Sequence, residues 1–177
     1  MKFVFAQNAI SLKSFKDEYE FYDYLEVCDS NLLLSYNEDY ADTYDVITLH
    51  SEEKLAIGIK YDWHGLQPNI LIIPKKQKIV CSFENEIACV DCESKVVEFR
   101  HSLNSLIFSM IHVEQLNLIV VIHEMGVFVI NEEGQKIWAC GGTDIIQDYK
   151  LVDKCIKIRC VDGYEISYSI VDGKVTY

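Results

Sequence analysis

The feature that most constrains this chain is an internal recurrence. Four segments line up: VITLHSEEKLAI (46–57), IACVDCESKVVE (87–98), VFVINEEGQKIW (127–138) and, with a one-residue slip, EISYSIVDGKVTY (165–177). Their starting positions lie 38 to 41 residues apart. Each is an apolar strand, a polar turn and a second strand. A unit of this length cannot bury both its faces alone, so similar units stack on one another. The pattern predicts a mainly β chain of about four antiparallel repeats.

The residues between these corners carry the same signal. Short runs rich in Val, Ile, Tyr, Phe and Cys alternate with polar turns from about residue 46 onward. Strands are predicted at 46–49, 55–60, 70–73, 79–83, 87–90, 96–99, 106–113, 118–123, 127–130, 136–140, 155–161, 165–171 and 174–177. Asp162-Gly163 and Asp172-Gly173 mark hairpins, because glycine accepts the positive φ that such turns need. The 177 residues suit one domain: a helix and acidic loop over 1–45, and β repeats over 46–177.

The third copy is the clearest. In Gly126–Trp138 an apolar strand ends at Asn131, Gly134 makes the turn and Trp138 sits on the last strand. This corner resembles the third-strand, turn, fourth-strand corner of quinoprotein-type (PQQ-like) and WD-like propeller blades. The other copies lack the tryptophan, and the second has Ser94 in place of the glycine. The resemblance implies a small or partial β-propeller: a closed ring, an open arc, or a half that pairs with a second copy as a homodimer. It carries no catalytic or cofactor residue with it, since blades host many functions. The competing reading is a meandering β-sandwich.

One helix is expected, at Ser14–Val27. Ser14 can cap it, Asp17 and Glu18 favour its N-terminal dipole, and Phe15, Tyr19 and Tyr22 recur at helical spacing. It is a candidate cover for a sheet edge. The tyrosine-rich segment Tyr36–Asp45 reads as a loop.

Charge is concentrated in this early part. Thirteen acids and two lysines between Asp17 and Asp62 give it a net −11, in a chain whose formal charge is −12. Such a chain is a poor ligand for nucleic acid or an anionic membrane. The acidic segment is either a solvated face or a surface that steers a basic protein partner. In the second case Tyr19, Tyr22, Tyr36, Tyr40 and Tyr44 are the anchors, and Asp39, Asp42 and Asp45 supply the steering charge. In size and acidity the chain resembles small bacterial immunity proteins, which neutralise toxins including nucleases. That resemblance implies an inhibitor of a basic partner.

The loop Tyr61–Pro68 holds Trp63 and His64 beside Asp62. Trp63 is expected either to plug an interface between repeats or, with His64, to contact a partner. The alternative function is a small ligand-binding protein or enzyme, with a site near Asp62, His64, His112 and His123. It requires these groups to converge. His112, His123 and Glu124 also make a conceivable two-histidine, one-carboxylate set. Cys89-x-x-Cys92 lacks the second pair that a zinc site needs, so no metal or cofactor is expected.

The apolar run Phe3–Ala6 is too short for a signal-peptide core. With no such leader, the seven cysteines read as reduced thiols in a cytoplasmic protein. The expected function is therefore a non-catalytic interaction module with an acidic surface.

Overall fold

Strand pairing in the computed structural model follows the forty-residue period. The structure describes residues 2–5, 8–35 and 41–176, with backbone alone at 2–5 and Asn8. The chain divides into two compact units, Met1–Ser102 and Leu103–Tyr177.

The first unit opens with β1 (Lys2–Phe5), β2 (Asn8–Phe15), the helix α1 (Glu18–Glu26), β3 (Ser30–Ser35), β4 (Thr43–His50) and β5 (Leu55–Tyr61). These strands form one sheet in the order β1-β2-β4-β5-β3. The second sheet of the unit is β6 (Asn69–Ile73), β7 (Lys78–Phe83), β8 (Glu86–Asp91) and β9 (Val96–Ser102), paired in sequence order. The second unit holds β10 (Ile107–Val113), β11 (Leu118–His123), β12 (Gly126–Asn131) and β13 (Lys136–Gly141) in a four-stranded sheet. Its last sheet is β14 (Ile146–Val152), β15 (Cys155–Cys160) and β16 (Glu165–Ser169). All pairs are antiparallel except β3 with β5. The chain is mainly β, and its four-stranded sheets fit a blade pattern.

Each recurrent segment forms the third strand, the turn and the fourth strand of its sheet: β4–β5, β8–β9 and β12–β13. The last copy keeps only a bridge, Tyr168 to Val175, where a strand over 174–177 was expected. The period also shows in the turns between first and second strands. Between β6 and β7 a 3-10 turn, Pro74–Lys76, ends on Gln77 at φ 52°, and between β10 and β11 the turn Glu114–Leu116 ends on Asn117 at the same φ. The carbonyl of Gln77 accepts from the Cys92 amide (2.9 Å), and that of Asn117 from the Glu132 amide (3.2 Å). Both third-to-fourth strand pairs carry a bulge at the equivalent place, Cys89/Val90 and Val129/Ile130.

The helix cap lies three residues later than expected. Ser14 and Phe15 are not its cap but the end of β2, in register with Asp45 and Tyr44. The cap is Asp17, whose Oδ1 accepts from the amides of Tyr19 (2.9 Å) and Glu20 (3.2 Å). Nor does α1 cover an edge. It lies on one face of the first sheet, where Phe21 and Leu25 pack with Phe15, Tyr44, Val46 and Ala56. The edge of β5 is taken by β3, running parallel to it. The opposite face of that sheet packs Ile47, Ile57 and Ile59 against Ile79, Cys81 and Ala88 of the second sheet. Covered on both faces, β5 is buried from end to end.

In the second unit Val120, Val127 and Val129 meet Ile156, Ile158 and Ile170. Trp138 joins this core: its Nε1 donates to the Ile170 carbonyl (2.7 Å) and its ring lies against Gly173. The outer face of the last sheet stays polar.

Candidate functional site

The contacts that seat α1 on its sheet leave an acidic and aromatic outer face. Phe21 and Leu25 turn inward, while Glu18, Tyr19, Glu20, Tyr22, Asp23, Glu26 and Val27 are exposed. Tyr19 is 82% and Val27 78% exposed. Of the helix carboxylates, Glu18 is engaged by the ammonium of Lys60 on β5 (2.6 Å). Glu20, Asp23 and Glu26 project outward, and the last turn carries no basic residue. Glu26 therefore faces the negative end of the helix dipole, a placement that costs a few tenths of a kcal/mol. Tyr22 is 37% exposed and edges against Phe21 at a centroid distance of 5.2 Å.

A second exposed cluster forms where the chain enters β4 and leaves β5. Asp42 accepts from the Thr43 hydroxyl (2.8 Å) and the Trp63 amide (3.0 Å). These two hydrogen bonds hold the Asp42 carboxyl below the ordinary aspartate range. The neighbouring Asp62 amide donates to Glu84 Oε1 (2.6 Å) in the β7–β8 turn. The two successive amides of Asp62 and Trp63 are thus anchored while the Trp63 side chain stays 48% exposed, beside an exposed His64. The expected plug at Trp63 does not form; that work is done by Trp138. The contacts of Asp42 and Glu84 join residues 21 and 22 positions apart, and nothing in the local sequence marks Glu84.

One expected anchor and one expected steering charge are not on the surface. Tyr44 is buried in the helix-side core, and its hydroxyl donates to the Ala41 carbonyl (3.0 Å). Asp45 is buried on the other face of β4, accepting from the Tyr61 hydroxyl (2.9 Å) through Oδ2. The acidic segment expected as a loop becomes strand from Thr43 onward, and alternation along β4 sends these two side chains to opposite buried faces. Burial and the Asp45 charge push the Tyr61 phenol well above its usual value. Tyr36, Asp39 and Tyr40 lie outside the described residues.

Within the second unit His112 and His123 do not come together. Asp62 and His64 belong to the first unit, His112 and His123 to the second. On the β10–β11 hairpin His112 pairs in register with Ile119, and His123 with Ile107. The two imidazoles are therefore about five residues apart along the hairpin, roughly 15 Å. Each has its own partner: His112 Nε2 meets the buried Glu132 carboxylate (2.7 Å), and His123 Nδ1 meets Ser105 Oγ (2.7 Å). The two-histidine and Glu124 set is dissolved by this register.

All seven cysteines are unpaired thiols. Cys89 and Cys92 are buried, and burial pushes each thiol up to about 12, with Glu98 and Asp91 respectively adding to the shift. These are protonated thiols of low nucleophilicity. Among the described residues no group of three or more His, Cys, Asp or Glu side chains is placed to hold a metal ion. No helix among them is long and apolar enough to cross a membrane.

No family model and no curated protein matches the chain. Solved structures do. The chain is similar to the computationally designed Ika8 protein, with a TM-score of 0.53 and 13% identity over 80% of this chain and 46% of that one. It is similar to the computationally designed Ika4 protein, with a TM-score of 0.50 and 11% identity over 78% and 89% of the two chains. A europium-containing methanol dehydrogenase follows at a TM-score of 0.48 and 10% identity, over 61% of this chain and 23% of that one. The chain thus spans about half the length of Ika8. At these identities the likeness is one of fold.

Proposed function

We propose that this protein is a non-catalytic interaction module built on blade-like sheets of a small or partial propeller, and that its outer α1 face binds a basic protein partner. The observation that carries the reading is the composition of that face: Tyr19, Glu20, Asp23 and Glu26 stand outward with no cation on the helix. An acid at the negative end of the helix dipole is a poor choice for stability, which favours a role in recognition. Exposed Tyr19 supplies an amphipathic anchor, and the carboxylates speed encounter with a positively charged surface. An inhibitor that covers the basic active surface of another protein, in the manner of an immunity protein, uses these features. The Trp63 loop is a second contact on the same unit.

The test separates recognition from bulk acidity. Binding of the full chain to an immobilised lysine-rich peptide is compared for two variants of equal charge. One carries Glu20→Gln, Asp23→Asn and Glu26→Gln; the other carries Asp153→Asn, Asp162→Asn and Glu165→Gln on the second unit. The reading expects the helix variant to lose affinity about tenfold or more, chiefly in association rate, and the other to lose much less. Equal losses would leave only net charge and overturn it. Tyr19→Ala is expected to weaken binding without changing Tm.

A further inference from the structure

The last sheet carries a cationic row in an otherwise acidic protein. Strand register sets Lys150 of β14 directly opposite Lys157 of β15, and Lys157 directly opposite Ser167 of β16. The three side chains project from the same exposed face, because cross-strand partners share a face. Neither lysine has an ion pair among the described residues. Directly opposed like charges lie about 5 Å apart at Cβ and destabilise a sheet. The row continues to Thr176, whose hydroxyl donates to Ser167 Oγ (2.9 Å). The Thr176 hydroxyl also lies 3.6 Å from Cys155 Sγ, and when its one proton goes to either acceptor the Ser167 hydroxyl stays at the exposed face beside Lys157.

The next row holds two carboxylates and one guanidinium, a net charge of −1. Arg159 stands in register between Asp148 and Glu165, and its Nη2 reaches Asp148 Oδ2 (3.4 Å). Both rows line one groove of about 580 Å³, with Tyr164 at its end. Two ammoniums without an ion pair and a hydroxyl therefore line one groove, beside Glu165 and an Arg159 guanidinium already engaged by Asp148.

We infer that this groove binds a phosphoryl group, bridged by Lys150 and Lys157 and hydrogen-bonded by Ser167. A dianion matches two facing cations better than a single carboxylate, and it converts a repulsive cross-strand pair into two charge-assisted hydrogen bonds. The site is built from residues of the second unit alone and stands without the proposed function. Its source is either free phosphate or a phosphate ester whose organic part packs on Tyr164.

The experiment is an NMR titration of the full chain with inorganic phosphate and with phenyl phosphate, each against sodium chloride at matched ionic strength. The expected result is a set of saturable shifts confined to Lys150, Lys157, Ser167 and Thr176. Lys157→Gln should weaken phosphate binding about tenfold. In chloride the same variant should melt about one to three degrees higher, because it removes the like-charge pair. Tighter binding of phenyl phosphate assigns the site to an ester, and equal binding to free phosphate. Shifts no larger in phosphate than in chloride, or undiminished binding by Lys157→Gln, would overturn the inference.

Discussion

Gly58 on β5 lies directly beneath Phe21 of the helix. A Cβ at position 58 would come within 2.8 Å of Phe21 Cζ and 2.9 Å of Leu25 Cδ1. Both side chains are buried, so neither has room to yield. The helix that presents the acidic face is seated only because this position has no side chain. Gly58→Ala is expected to destabilise the protein by about 1–3 kcal/mol through overpacking. In urea unfolding, Phe21→Leu should recover part of that loss when combined with Gly58→Ala, while being destabilising alone. Additive losses in the double variant would refute the contact.

The helix is also tied to the sheet by charge. Lys60 is almost fully buried, and Glu18, half exposed, is its partner at 2.6 Å. Burial is the largest single influence on Lys60 and depresses its pKa, but the Glu18 hydrogen bond together with the charges of Tyr22, Glu18 and Tyr44 outweighs it and holds Lys60 above its ordinary value. Removing one partner strands a charge, whereas removing the charge does not. Glu18→Gln should cost about 1–2 kcal/mol, below the figure for a wholly buried pair because Glu18 reaches solvent. Lys60→Met should be close to neutral. Denaturation midpoints of the two variants check the asymmetry.

The strands that were legible from sequence are those marked by an apolar run bounded by polar turns. From β4 to β13 an apolar run, a polar turn and another run specify an antiparallel hairpin locally. Four strands escaped that logic. β1 and β2 precede the first recurrent corner, and Phe15 at the end of β2 mimics the start of the helical spacing. β3 pairs in parallel with β5 across the whole of β4, so no turn announces it. β14, with the sequence IQDYKLV, is mostly solvated on one face and lacks an apolar run. The site divided in the same way. The acidity of the segment that holds α1 and the helical spacing of Tyr19 and Tyr22 were visible, but the steering charge was expected at Asp39, Asp42 and Asp45 rather than at Glu20, Asp23 and Glu26. The burial of Asp45 was not visible, because its partner Tyr61 is sixteen residues away. The Asp42–Trp63 contact likewise depends on tertiary packing.

The two tryptophans occupy opposite environments, and fluorescence separates them. Trp138 is 8% exposed and bonded to the Ile170 carbonyl, whereas Trp63 is 48% exposed. Trp138→Phe should leave a red-shifted emission that acrylamide quenches readily. Trp63→Phe should leave a blue-shifted emission resistant to quenching until the protein unfolds. A protected Trp63 would remove that loop from the interaction surface.

His123 gives stability a pH dependence whose sign is fixed. Its ring is 8% exposed at the end of β11, and burial holds its pKa below the ordinary 6.5. Above about pH 6.5 the imidazole is neutral in both the folded and unfolded chains and contributes no slope. As pH falls below that value the unfolded chain takes up a proton that the folded protein still excludes. Stability is then lost until the folded-state pKa is reached, by about 1.4 kcal/mol for each unit separating the two values. Urea unfolding at pH 7, 6 and 5 should show this decline in the natural sequence. His123→Gln retains a hydrogen-bonding group for Ser105 without the titration, so its decline over the same window should be shallower. Identical slopes for the two proteins would show that His123 is protonated as readily in the fold as outside it.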